Sequence, residues 1–395
     1  MDRREFLRAG AVGLGITGIV GATGANPLAP DRSAATDADP RETSSETPTE
    51  TPTPEPTPDH LLWSHDVRGS VYGLTTAGEG AELYVSIGTT VSRLDAESGD
   101  VEWEASSEQS IEAPVAVADD AIFAVGRQGR LLAVDRASGD RRWFEDTGSF
   151  TPDRPHVHDG AVVVPGQRIA AYEADSGDRR WVSSRRFTSP QTLRTDDHLY
   201  VGDANDAAKL SLADGSAVWT WDDRHYTADL AYNLVHSPDH DLLFGTNGGG
   251  LYAVDTTDGE LRWQAEDRGT FQSLALVGDR LLYLIETEAD NSMFGAIDLA
   301  AAEISWEHIA PLDLDDWEYG RVSTDMADYE GDILAGTTTG HLVRLDPESG
   351  ELRDAGSIRE GAIGGSHVVQ DRAYLVADGG IAGIDLTEVF GTAGE

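Results

Sequence analysis

Short apolar runs recur along the chain from about residue 60: "AIFAVG", "AVVVPG", "HLYVGD", "RLLYLIE" and "RAYLVAD", each bounded by polar and glycine-bearing breaks. Upstream of each lies another run, often with a proline, as in "IEAPVAVADD" and "FTSPQTLRTDD", and downstream lies a third that ends on an acid. Runs this short between turn residues predict β-strands. Four such strands in every unit of about 38 to 48 residues predict the blades of an all-β propeller.

The third strand, a turn and the fourth strand of each unit carry one motif. Its copies are "RLDAESGDVEW" from 93, "AVDRASGDRRW" from 133, "AYEADSGDRRW" from 171, "KLSLADGSAVW" from 209, "AVDTTDGELRW" from 253, "AIDLAAAEISW" from 296, "RLDPESGELRD" from 344 and "GIDLTEVFGTA" from 383. The third residue is taken as the anchor: Asp95, Asp135, Glu173, Ser211, Asp255, Asp298, Asp346 and Asp385. Four residues on stand Gly99, Gly139, Gly177, Gly215, Gly259 and Gly350, where a tight turn favours positive φ. The acid, and the Ser or Asp before the Gly, can accept turn amide hydrogens. Eight residues on stand Trp103, Trp143, Trp181, Trp219, Trp263 and Trp306, large rings suited to docking between neighbouring blades with the indole N–H on a carbonyl. Trp63 stands 40 residues before Trp103, in register as a fourth-strand Trp with no first three strands before it, whereas the last unit has three strands and no fourth. The expectation is an eight-bladed β-propeller of four-stranded antiparallel blades, its ring closed by the N-terminal strand.

These repeats resemble the tryptophan-docking motif of the pyrroloquinoline-quinone-like propeller superfamily over nearly all of residues 60–395, and Ala133 to Trp143 fits every position. The resemblance implies one of two branches: quinoprotein alcohol and glucose dehydrogenases, with pyrroloquinoline quinone and calcium as cofactors, or non-catalytic relatives such as the outer-membrane barrel-assembly lipoprotein B. The dehydrogenases are considerably longer, and several stack a disulfide of adjacent cysteines on the quinone; this chain has no cysteine. The lipoprotein branch is nearer in size, but its lipid-anchor cysteine is missing here.

Charge narrows the partners. The chain carries 71 acidic and 29 basic residues, a formal net charge of -42, and Lys209 is its single lysine. Residues 60–395 alone hold 61 acidic and 24 basic residues, a net of -37. Nucleic acid and anionic membrane surfaces are repelled by such a chain. The self-repulsion is relieved at molar salt, where the Debye length is about 3 Å, so the composition resembles that of proteins from salt-loving archaea. Without cysteine there is neither a disulfide framework nor a thiolate nucleophile.

Residues 1–30 read as an export signal: a basic start, a glycine-rich apolar run and small residues near a cut after Ala25. Arg3-Arg4 followed by Phe6-Leu7 resembles the twin-arginine motif. The apolar run is shorter than the roughly 20 residues of a spanning helix, so no membrane span is expected once the signal is cleaved. Residues 31–59, rich in Thr, Pro and Glu, read as a disordered spacer, and residues 60–395 as the propeller. The predicted location is extracellular or at the cell envelope.

Ligands bind propellers mostly at the channel mouth, on loops joining a fourth strand to the next first strand. Two of these loops are enlarged, "TWDDRHYTADLAYN" and "EHIAPLDLDDWEYGRVSTD". Arg224, His225, Tyr226, Trp317, Tyr319 and Arg321 would form an aromatic and cationic patch there, of a kind that anchors interfaces. Asp313, Asp315, Asp316 and Glu318 fail the calcium-loop template because Trp317 holds its fifth position, and they read as a solvated acidic loop. His156 and His158 face one way on an inner strand but lack a third ligand, so no metal site is expected. The functional expectation is a non-catalytic binding or scaffold propeller that recognises an envelope protein or small ligand through its rim loops. A quinone-dependent oxidoreductase and a carbohydrate-active enzyme with paired carboxylates are the alternatives.

Overall fold

The computed structural model describes residues 59–391, apart from 68, 149–152, 204–205, 222–229, 231, 248–249, 266–268, 287–290, 311–317, 359–360 and 378–379. The predicted signal, and the predicted spacer up to residue 58, lie outside the described residues.

Eight four-stranded antiparallel sheets form a ring, an eight-bladed β-propeller. Blades 1 to 7 span residues 71–106, 116–146, 156–182, 191–220, 232–265, 270–310 and 327–357. Blade 8 takes three strands from residues 363–385 and its fourth, Leu61–Asp66, from the other end of the chain. That strand pairs antiparallel with Gly380–Asp385, so the ring closes as expected. First strands of neighbouring blades touch one another, which places them around the central channel, and the fourth strands face outward.

Burial follows from this stacking. In the second strands Ala121–Val125 and Asp332–Gly336 every residue is buried, because a blade between two neighbours has both faces covered. Such strands read as continuous apolar runs rather than alternating ones. The outer strand Val101–Ser106 instead buries only Trp103 and Ala105.

The repeated motif is the joint between blades. Indole N–H groups donate from Trp63 to Ala96 (3.1 Å), Trp103 to Arg136 (3.0 Å), Trp143 to Ala174 (2.9 Å), Trp181 to Leu212 (3.1 Å), Trp219 to Thr256 (3.0 Å) and Trp306 to Pro347 (2.9 Å). Each acceptor is the carbonyl one residue past the next blade's anchor. Trp263 packs in one apolar cluster with Leu299, which holds the same place in blade 6. The anchor carboxylates clamp their own turns: Asp95 accepts from the amides of Glu97 (3.1 Å) and Ser98 (2.7 Å), and Asp135 from those of Ala137 and Ser138 (both 3.0 Å).

The six turn glycines have φ between 70° and 78°. A second reason for glycine comes from the preceding blade. A Cβ at any of these positions would lie 2.4 to 2.8 Å from the docking indole, closer than carbon atoms approach, so each ring lies flat over a bare turn. In blade 6 the turn position is Ala302, which takes φ 55° despite its side chain.

The joint between blades 7 and 8 differs. The eighth residue after Asp346 is Asp354, and the last motif continues as a short helix, Leu386–Phe390, where the others turn into a fourth strand. Asp385 caps it, accepting from the amides of Thr387 (2.9 Å) and Glu388 (3.4 Å). Leu386 is fully buried, and Val389 sits so close to Gly356 in the outer strand of blade 7 that a Cβ there would be 2.2 Å away.

Candidate binding site at the channel mouth

The two enlarged loops fall differently. Arg224, His225, Tyr226 and Trp317 lie outside the described residues, as do Asp313, Asp315 and Asp316. Tyr319 and Arg321 are described; they belong to a strap, residues 318–325, that enters blade 7.

The strap ties three blades together. Its Val322 amide donates to Ser292 Oγ of blade 6 (3.1 Å), and its Ser323 amide to the Gly336 carbonyl of blade 7 (2.8 Å). Ser323 Oγ donates to the Ile363 carbonyl of blade 8 (2.7 Å). Thr324 Oγ1 accepts from the Gly336 amide (2.7 Å). Each hydroxyl replaces a strand partner that the irregular backbone lacks. Tyr319 packs its ring against His341, with centroids 4.9 Å apart, and its carbonyl accepts from Thr339 Oγ1 at 2.5 Å.

The strap also walls a cavity of about 300 Å³ between blades 6, 7 and 8, bordered by Glu286, Ser292, Arg321, Thr324, Thr338 and Gly364. The Arg321 guanidinium forms an ion pair with Glu286, and its backbone amide donates to Thr338 Oγ1 at 3.0 Å. Gln272 donates to the other Glu286 oxygen at 3.4 Å. A second cavity of similar size lies alongside, between blades 8 and 1, and shares Gly364. Among the described lining residues of the first are hydroxyls, an amide, one guanidinium and two carboxylates, of which Glu286 is ion-paired. This inventory suits recognition by hydrogen bonds and charge.

The same walls bear on the quinone that the dehydrogenase branch implies. A flat ring system needs a stacking surface and calcium needs several free oxygen ligands. No described residue lining the cavity is aromatic, Glu286 is already held by Arg321, and the chain has no cysteine. The cavity does not fit that group. Among the described residues no three His, Asp or Glu side chains cluster to hold a metal, and His156 bonds Thr192 Oγ1 at 2.8 Å.

Trp221 corrects a reading of the sequence. The sequence places it in the enlarged loop "TWDDRHYTADLAYN", but it is 2% exposed and donates to the Gly259 carbonyl of blade 5 at 2.8 Å. Two residues after a docking Trp, His65 and His308 do the same, reaching the carbonyls of Gly99 and Ser349, each at 2.7 Å. A ring at that spacing is the signal that could have revealed this second clasp.

Fold and joints together define a class: an eight-bladed propeller with six of its eight seams pinned by indoles over glycine turns. The chain belongs to the family described as outer membrane protein assembly factor BamB, whose model matches residues 55–184, 88–222 and 203–384. No curated protein matches the sequence. Among solved structures it is similar to BamB from Moraxella catarrhalis, at 19% identity and TM-score 0.63, covering 82% of this chain and 99% of that one. The quinohemoprotein alcohol dehydrogenase from Comamonas testosteroni matches at 14% identity and TM-score 0.60, covering 85% and 77%. Sqt1 from Saccharomyces cerevisiae matches at 9% identity and TM-score 0.66, covering 83% and 99%. At these identities the structural matches speak for the fold alone. Among the described residues no helix is long and apolar enough to cross a membrane.

Proposed function

We propose that this protein is a non-catalytic binding propeller of the cell envelope that recognises a partner protein through the channel mouth at blades 6 to 8. The observation that carries the reading is the strap holding Arg321 and Glu286 at the rim of a polar cavity, braced from three blades. The family's description as an assembly factor supports a protein partner. The twin-arginine-like start supports export, and the net charge of -37 over residues 60–395 supports work at high salt. On the last point, thermal stability should rise from about 0.1 M to molar salt as the Debye length falls from about 10 to about 3 Å.

The test is photo-crosslinking from position 338 in intact cells. The expected result is a discrete adduct with an envelope protein that disappears in Arg321→Glu, a variant that sets two like charges face to face. Absence of any adduct, together with alcohol-dependent dye reduction by protein supplied with pyrroloquinoline quinone and calcium, would replace this reading with the oxidoreductase.

A further inference from the structure

The two cavities at the mouth meet at a glycine pair that the fold itself does not require. Gly364 borders both cavities and Gly365 the first. They stand near the start of Ile363–Val369, the first strand of blade 8 and the inner edge of its sheet. Other glycines around the second cavity have structural reasons. Gly69 takes φ 135°, and a Cβ at Gly380 would lie 2.6 Å from the His65 carbonyl oxygen. Gly364 and Gly365 have neither reason. Both lie outside the left-handed region, and a Cβ on either would meet nothing closer than 3.7 Å, an ordinary contact. Glycine in a strand weakens it, so a glycine that packing does not demand marks a place where another chain comes close.

Sister blades show what this place can hold. The first strands of blades 1, 6 and 8 carry the same bulge. Val71 pairs with Ile87 and Gly73 with Ser86, Phe271 with Ile285 and Ser273 with Leu284, Ile363 with Ala377 and Gly365 with Val376. The extra residue is Tyr72, Gln272 or Gly364, and all three are exposed. A bulge re-aims the residue it inserts. Gln272 borders the first cavity, whereas blade 8 presents bare backbone at the matching position. The cavities on the two sides of that backbone differ in chemistry. The first offers hydroxyls, an amide and the Arg321–Glu286 pair, and the second is walled by Val67, Val71, Ala362, Val376 and Ala377.

We propose that the partner enters the mouth as one extended segment, its backbone over Gly364 and Gly365, with a polar side chain in the first cavity and an aliphatic one in the second. This rests on the partner-binding reading above and narrows it. Successive side chains of an extended chain point to opposite sides, which matches cavities on opposite sides of one strand. Backbone against bare backbone supplies hydrogen bonds, and the pockets select the side chains. The side chain in the second cavity is uncharged, because a charge there would shed water among aliphatic groups.

The test selects a phage-displayed library of random linear peptides on the whole protein. Enriched peptides should alternate polar and aliphatic residues. A synthetic copy of the most enriched should bind the wild type saturably, Gly364→Leu at least tenfold more weakly, and Gly364→Ala in between. Both variants should keep the wild-type thermal midpoint, because their side chains enter open space. Failure to enrich any peptide, enrichment without alternation, or equal binding by folded Gly364→Leu would overturn the proposal. The adduct from position 338 keeps the two readings apart. An adduct that persists in Gly364→Leu sinks this inference and leaves the partner reading standing; no adduct in the wild type sinks the partner reading, while the peptide result still decides the groove.

Discussion

The joint between blades 1 and 2 and the joint between blades 7 and 8 hold neighbouring sheets together with different parts. In the first, Trp103 lays its ring over Gly139 and donates to the Arg136 carbonyl. In the second, the outer strand offers Asp354 where the indole would be, and the receiving turn carries Val389 where the glycine would be. Side chain and hole have changed sides: the helix Leu386–Phe390 supplies its own apolar filling, and Gly356 in the facing strand makes room for Val389. The anchor survives both arrangements, because an aspartate that accepts amides two and three residues on can clamp a turn at Asp135 or cap a helix at Asp385. A joint therefore needs a filled gap and a clamped chain reversal, and the indole is one way of filling it.

The largest expected effect comes from removing closure altogether. Deleting residues 60–66 takes away the fourth strand of blade 8 and the Trp63 clasp on blade 1 together, so calorimetry should show a greater loss than for any single substitution, with a broadened transition. An unchanged midpoint would mean that the ring does not depend on that strand. Next come the two joints themselves. Trp103→Ala should cost about 3–5 kcal/mol and Leu386→Ala about 2–5 kcal/mol, read from urea unfolding, since each empties a buried site. If Leu386→Ala were neutral, the helix would be an ornament on the joint rather than its filling.

These joints also show how far the sequence could be read. The repeat, the clamped turns, the blade count and the closure were legible, because they depend on spacing within one unit and on the frame of Trp63. What lay hidden depends on contacts between units. The fit of each glycine beneath the previous blade's indole, the second clasp through His65, Trp221 and His308, and the helix in "LTEVF" become visible only when neighbouring blades are set side by side. The candidate site divides in the same way. Arg321 was singled out in the sequence, but its partner Glu286 comes from a strand of blade 6 and its support Thr338 from a turn of blade 7.

A smaller effect should separate the two uses of the anchor. Asp135 is bonded to Arg142 and to two turn amides, which hold its carboxyl down at about pH 2. A folded value below the unfolded one means that its stabilisation is complete above about pH 4 and is lost as pH falls from about 4 toward about 2. Asp135→Asn should flatten the stability profile across that window and leave the slope near neutral pH unchanged, as followed by circular dichroism during acid titration.

The central claim is that glycine and indole form one device at each clasped joint. A double-mutant cycle on Trp103→Ala and Gly139→Ala measures this directly. With the ring present, a Cβ at position 139 would sit 2.7 Å from it; with the ring gone, only the cost of φ 74° for alanine remains. The account predicts that Gly139→Ala is much less damaging in the Trp103→Ala background, with a coupling energy of roughly 1–3 kcal/mol. Additive costs within about 0.5 kcal/mol would contradict it and reduce the glycine to a turn residue alone.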